Sequence, residues 1–120
     1  MDAHRLAECR SIELHRAIAE RLRRDPGLVQ AARLRVAGLA AAGTLSPWYA
    51  DEWKRALSLP TDELCALLVG DTEVARTLRQ TTPFTAVVPP RERWGIWRRV
   101  AEEARSGRVG EGHGAGGEGK

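Results

Sequence analysis

Residues Arg79–Val100 read RQTTPFTAVVPPRERWGIWRRV, and this segment joins two stretches with helical periodicity. It contains the chain's single phenylalanine, Phe84, and two of its four tryptophans. The proline pair Pro89-Pro90 fits the first turn of a helix, where a missing backbone N–H costs nothing. So many aromatic, arginine and proline residues in one segment indicate either a recognition surface or a lock that holds the last helix in place.

The first half of the chain predicts helices separated by short turns. From Ala3 to Arg24 apolar residues recur every three or four positions, with arginine and glutamate between them, a pattern typical of an amphipathic helix. Asp25-Pro26 and Ser46-Pro47 each predict the start of a further helix. Gly43 predicts the end of the helix between these two starts.

The second half continues the pattern. Thr61 and the acids after it predict a helix start, and Gly70-Asp71 ends that helix and caps another. Only Thr85–Val88 has strand character, and prolines flank it on both sides. The chain is therefore predicted to be all-α, a small single-domain bundle of about six helices.

Length and composition agree with one domain. A chain of 120 residues that is 42% hydrophobic can bury a modest core. We place the helical domain at residues 1–105. Glycine recurs throughout residues 106–120, so we predict that this segment is a flexible tail.

Charge and cysteine content narrow the class of protein. The net charge is +3, and all but Lys54 and Lys120 of the 19 basic residues are arginine, but acids are interleaved with them. Mild basicity of this kind is weak evidence for nucleic-acid binding. Cys9 and Cys65 lie far apart without a metal-ligand motif, as expected for reduced thiols, and no apolar run has membrane-spanning length. We predict a cytoplasmic protein without membrane association.

The helices on either side of Gly70 suggest a helix-turn-helix hypothesis for DNA binding. The second helix would present its polar residues to the groove: Thr72, Glu73, Arg76, Arg79 and Gln80. However, Asp71 falls where such motifs bury an aliphatic residue. The segment from Thr61 to Pro89 also has four acids against two arginines, a net charge of −2, which disfavours contact with phosphate.

Arg10-Ser-Ile-Glu-Leu-His15 resembles the Arg-x4-6-His element of the HEPN ribonucleases, which are small all-α proteins. The resemblance implies that Arg10 and His15 act on an RNA phosphate, with His15 assisting proton transfer. The alternative is that both are surface residues of an amphipathic helix. His4 and Glu8 lie one helical turn apart but do not form a closed metal shell, so we predict neither a metal nor a cofactor.

Residues 11–100 resemble a group of small, uncharacterised bacterial all-α proteins. The resemblance is most specific in Leu78-Arg79-Gln80-Thr81-Thr82-Pro83-Phe84 and in Pro90-Arg91-Glu92-Arg93-Trp94. It implies a possible association with toxin–antitoxin pairs, in which small helical proteins are often the non-catalytic member.

We therefore predict a non-enzymatic interaction module, antitoxin-like, that occludes a partner protein through its last helix and the preceding loop. The partner would have an acidic or mixed surface. A DNA-binding regulator is the alternative, and a HEPN-like ribonuclease is the third hypothesis.

The i, i+3 spacing of Trp94 and Trp97, in line with Ala101 and Ala104, favours a buried stripe rimmed by arginines, and burial is also favoured for Phe84. Whichever aromatic faces stay uncovered would act with the arginines as the binding site, whose candidate residues are Phe84, Arg91, Arg93, Trp94, Trp97, Arg98 and Arg99.

Overall fold

A computed structural model of the chain describes residues 2–106, which form six α-helices and one turn of 3₁₀-helix at Thr85–Val87. The helices are α1 (Ala3–Arg24), α2 (Gly27–Ala41), α3 (Pro47–Ala56), α4 (Thr61–Leu68), α5 (Glu73–Arg79) and α6 (Pro90–Arg105). No strand occurs within residues 2–106, so the all-α prediction with about six helices is confirmed. The predicted flexible tail lies outside the described residues, apart from Ser106.

Helix α1 is the centre of the bundle. It packs against α4, α5 and α6, and its inner face buries Leu14, Ile18 and Leu22, which recur every four residues. Helices α2 and α3 pair mainly with each other. The molecule measures 52 × 28 × 25 Å along its principal axes, so the helices form an elongated bundle.

Local chemistry explains the end of α2 and the start of α5. Gly43 closes α2 with a positive φ of 75°, which only glycine adopts without strain. Thr72 caps α5, because its Oγ1 accepts a hydrogen bond of 3.1 Å from the backbone N–H of Ala75. The sequence pattern had assigned this cap to Asp71, one residue too early. Aspartate and threonine oxygens both suit the cap position, and the acid beside Gly70 was the misleading signal.

The loop between α5 and α6 is folded onto α3 through two aromatic residues. Trp53 is completely buried and packs edge to face on Phe84, with 6.0 Å between the ring centroids. The Trp53 Nε1–H donates a hydrogen bond of 3.0 Å to Oγ1 of Thr81, so its polar atom is satisfied in the core. Phe84 itself is only 1% exposed. The favoured interpretation, that Phe84 is buried, is confirmed.

Two polar contacts hold the first turn of α6. Arg93 Nη1 donates hydrogen bonds to the carbonyl oxygens of Thr85 and Val88, at 3.1 and 2.8 Å. Arg21 of α1 donates a bidentate pair of hydrogen bonds to the Glu92 carboxylate, which lowers the pKa of Glu92. The start of α6 is therefore attached both to its own loop and to α1.

The two aromatic residues Phe84 and Trp94 should differ sharply in their effect on stability. We expect Phe84→Ala to lower the free energy of unfolding by about 3–5 kcal/mol, because it empties a fully buried site against Trp53. Trp94 is 66% exposed, and Trp94→Ala should change stability by no more than about 0.5 kcal/mol. Urea unfolding followed by far-ultraviolet circular dichroism measures both variants. Similar losses in the two would contradict the proposed lock.

Candidate partner-binding surface

The outward side of α6 presents an aromatic cleft. Pro90, Arg93, Trp94 and Trp97 line a cleft of about 220 Å³, here called the Trp94 cleft. Trp94 is largely exposed and Trp97 is half-buried. Two aromatic rings therefore lie beside one shallow depression on the surface.

The prediction that Trp94 faces the core is wrong. Helix α6 buries Ile96 and Val100, which are four residues apart and face α1. Since each residue turns an α-helix by about 100°, Trp94 lies two residues before Ile96 and points to nearly the opposite side. Helix α6 can turn only one of these two stripes towards α1, and it turns the aliphatic one.

Trp97 bridges the outer surface and α1. The guanidinium carbon of Arg10 lies 5.8 Å from the centroid of the Trp97 ring, within cation–π range. Arg10 Nε is buried and has no hydrogen-bond partner among residues 2–106. Arg10 thus belongs beside the surface of α6. The sequence could not show this, because 87 positions separate the two residues.

Three arginines of α6 carry exposed charge. Arg91, Arg98 and Arg99 form no hydrogen bond or ion pair within the described part of the chain. Arg91 and Arg98 share the face of Trp94, whereas Arg99 lies beside a separate groove between α1 and α4. Trp94 therefore has one unpaired guanidinium on each side along the helix.

The seven predicted site residues do not form one surface. Phe84 is a core residue and cannot be an exposed anchor, because Trp53 and the α5–α6 loop enclose it. Arg93 lines the Trp94 cleft, but its Nη1 donors are used by the loop carbonyls. Arg99 faces the other groove. The residues brought together are Arg91, Trp94, Trp97 and Arg98, with Arg10 added from α1.

Both arginines of α5 form contacts with other residues of the chain. Arg76 forms ion pairs with Glu8 at 3.4 Å and with Asp71 at 3.0 Å. Arg79 is buried and donates to the carbonyl oxygens of Leu68 and Gly70, at 3.0 and 2.8 Å, at the end of α4. Burial lowers the pKa of Arg79. Both side chains hold α5 against its neighbours, which weighs against their use in a DNA groove.

His15 is a core residue, and its expected position on the surface is wrong. It is 1% exposed, and its Nδ1 lies 2.7 Å from the Ser11 carbonyl oxygen. Burial lowers the pKa of His15 to about 4, and the nearby charge of Arg79 acts in the same direction. At neutral pH the ring is therefore uncharged and enclosed, while Arg10 contacts Trp97. This arrangement gives no support to a shared RNA-phosphate site.

No protein-family model, curated protein or solved structure matches the chain. The resemblance of residues 11–100 to small bacterial helical proteins therefore stays a prediction. Within residues 2–106, no group of three or more histidine, cysteine or acidic side chains is placed to hold a metal ion. None of the helices described is both long enough and apolar enough to span a membrane.

The buried His15 should make the fold sensitive to mild acid. Its folded pKa of about 4 lies below the usual 6.5, so the unfolded chain takes up the proton first as the pH falls. The stability from the neutral ring is complete above pH 6.5 and is lost between 6.5 and 4, by on the order of 3 kcal/mol at most. Urea unfolding at several pH values in this window should show a shallower dependence for His15→Leu than for the unmodified chain.

The matched control for this measurement is His4→Leu, because His4 is exposed on the same helix. It should retain the full pH dependence. If His15→Leu and His4→Leu lose stability in parallel as the pH falls, His15 does not cause the acid sensitivity.

Proposed function

We propose that the protein is a non-enzymatic interaction module, which binds an acidic partner protein through the outward face of α6 and thereby covers the partner's surface. One observation carries this proposal. Trp94 is 66% exposed between Arg91 and Arg98, whose charges are unpaired among the described residues. Tryptophan and arginine are the residue types most enriched at the energetic centres of protein interfaces.

The contacts that hold α6 in place support this function. Arg93 and the Arg21–Glu92 pair hold the first turn, and Arg10 lies within cation–π range of Trp97. A surface that is already ordered loses little conformational entropy on binding, so more of the contact energy appears as affinity. The unpaired arginines would steer an acidic partner towards the cleft.

The charges of α6 favour a protein partner over nucleic acid. Glu102 and Glu103 follow the arginines on the same helix, and phosphate backbones are bound most strongly where basic charge is continuous. The arginines of α5, which would extend a basic surface, are held by internal contacts. DNA binding therefore has less support than protein binding.

An antitoxin-like role is one form of this proposal, in which α6 would cover the active surface of a toxin. It depends on the sequence resemblance alone. A cytoplasmic location is also part of the proposal, and the free thiols Cys9 and Cys65 are consistent with a reducing compartment.

Site-specific cross-linking tests the proposed surface. A photo-crosslinking amino acid in place of Trp94 in the full chain should capture a protein partner, which mass spectrometry then identifies. With that purified partner, Trp94→Ala should raise Kd by about 30-fold, the loss of a typical interface centre. Arg98→Glu should also weaken binding, because it reverses one steering charge.

Matched controls come from exposed residues of α2 and α3. Trp48→Ala removes a tryptophan that is 51% exposed on α3, and Arg35→Glu reverses an exposed charge on α2. Both should leave Kd unchanged. Equal affinities for the α6 variants and these controls would remove the basis of the proposal.

A further inference from the structure

The spacing of the exposed side chains on α6 restricts what can lie against them. Arg91, Trp94 and Arg98 follow one another at steps of three and four residues and project from one side of the helix. Arg91 and Arg98 are two turns apart, which corresponds to about 10 Å along the helix axis. The face therefore offers positive charge, an aromatic ring and positive charge at a fixed repeat.

An extended partner segment does not match this repeat. A strand rises by about 3.3 Å per residue and alternates sides, so its side chains on one face are about 6.6 or 13 Å apart. The closer of these spacings, about 13 Å, exceeds the separation of Arg91 and Arg98 by about 3 Å, so a strand fits the two charges less well than a helix does. A partner helix has the same repeat as α6, so side chains at i and i+7 lie opposite the two arginines when the helices run side by side.

Along the helix, Trp94 lies between these two charges, and its ring also forms one side of the Trp94 cleft. Its walls are the rings of Pro90, Trp94 and Trp97 and the stem of Arg93, whose charged end is turned towards the loop carbonyls. An apolar side chain opposite Trp94 packs on its exposed ring, beside this shallow cleft. The residue of a partner helix that faces Trp94 lies midway between the carboxylates, at i+3 or i+4.

We infer, resting on the proposed function, that the occupant of this surface is an acidic amphipathic helix of the partner protein. Two of its carboxylates, seven residues apart, pair with Arg91 and Arg98. One large apolar residue between them packs on the exposed ring of Trp94. The apolar contact supplies most of the affinity, and the two charge pairs set the register and exclude helices with basic residues at these positions.

Synthetic peptides test this inference directly. The probe is a fluorescein-labelled helical peptide with a single Glu-x-x-x-Leu-x-x-Glu pattern in an alanine and glutamine background. The control peptide has the same composition, with the second glutamate moved two residues further along, to the opposite side of the helix. Fluorescence anisotropy with the full chain should show at least about 10-fold tighter binding of the patterned peptide, and replacing its leucine by alanine should abolish binding.

Charge reversal tests whether Arg91 and Arg98 set the register of the bound peptide or only attract acidic peptides in general. The double variant Arg91→Glu with Arg98→Glu should lose the preference for the patterned peptide, and a peptide with lysine at both glutamate positions should recover tight binding to it. The inferred helical occupant is wrong if the patterned peptide and its control bind equally well, or if neither of them binds.

These outcomes are separable from a failure of the proposed function. If the cross-linked partner still depends on Trp94 while the peptides do not discriminate, the interaction surface stands and only the helical occupant is wrong. A labelled oligothymidylate in the same assay covers the other class of ligand. If it binds more tightly than the peptides, and Arg91→Glu with Arg98→Glu abolishes that binding, both proposals fall.

Discussion

The packing of Phe84 on Trp53 is the contact on which the position of the last helix depends. Helix α6 packs mainly on α1, a single neighbour that by itself leaves the helix free to roll or slide. The loop before α6 removes this freedom, because Phe84 is enclosed against α3 and Thr81 accepts the Trp53 N–H. The helix is thus attached at its side by α1 and at its start by the loop.

Once the position of α6 is set, its surface follows from helical geometry. Ile96 and Val100 point to α1, so Trp94 points outwards. The Arg21–Glu92 pair reinforces the same rotation, since Glu92 precedes Ile96 by one turn and reaches the same neighbour. The exposed tryptophan is therefore a consequence of burying the aliphatic residues, and the arginines beside it stay unpaired among the described residues.

Much of this fold is predictable from local patterns, and the site is not. Periodicity and local backbone preferences predict three features of the fold. These are the bounds of α1, the end of α2 shortly before Gly43 and the start of α6 at Pro90. His15 could also have been assigned to the core, because it lies four residues before the buried Ala19. By contrast, the choice between the Trp94 stripe and the Ile96 stripe depends on the position of α1, which no local pattern contains. The cation–π contact between Arg10 and Trp97 also depends on the position of α1.

The segment Arg79–Val100 thus contains a buried aromatic residue, Phe84, and an exposed one, Trp94, and this difference has an energetic consequence. A buried aromatic ring contributes to folding through the apolar area that it removes from water, whereas a ring that stays exposed contributes little. Phe84 therefore stabilises the fold, and Trp94 gains its apolar contacts only when another surface covers it. The contact between Phe84 and Trp53 holds the start of α6. Under the proposed function, the cleft beside Trp94 would therefore be shaped without the partner, and binding would not have to order it. The loop that contains Phe84 directly precedes α6, so the contact with Trp53 positions the start of the helix that carries Trp94.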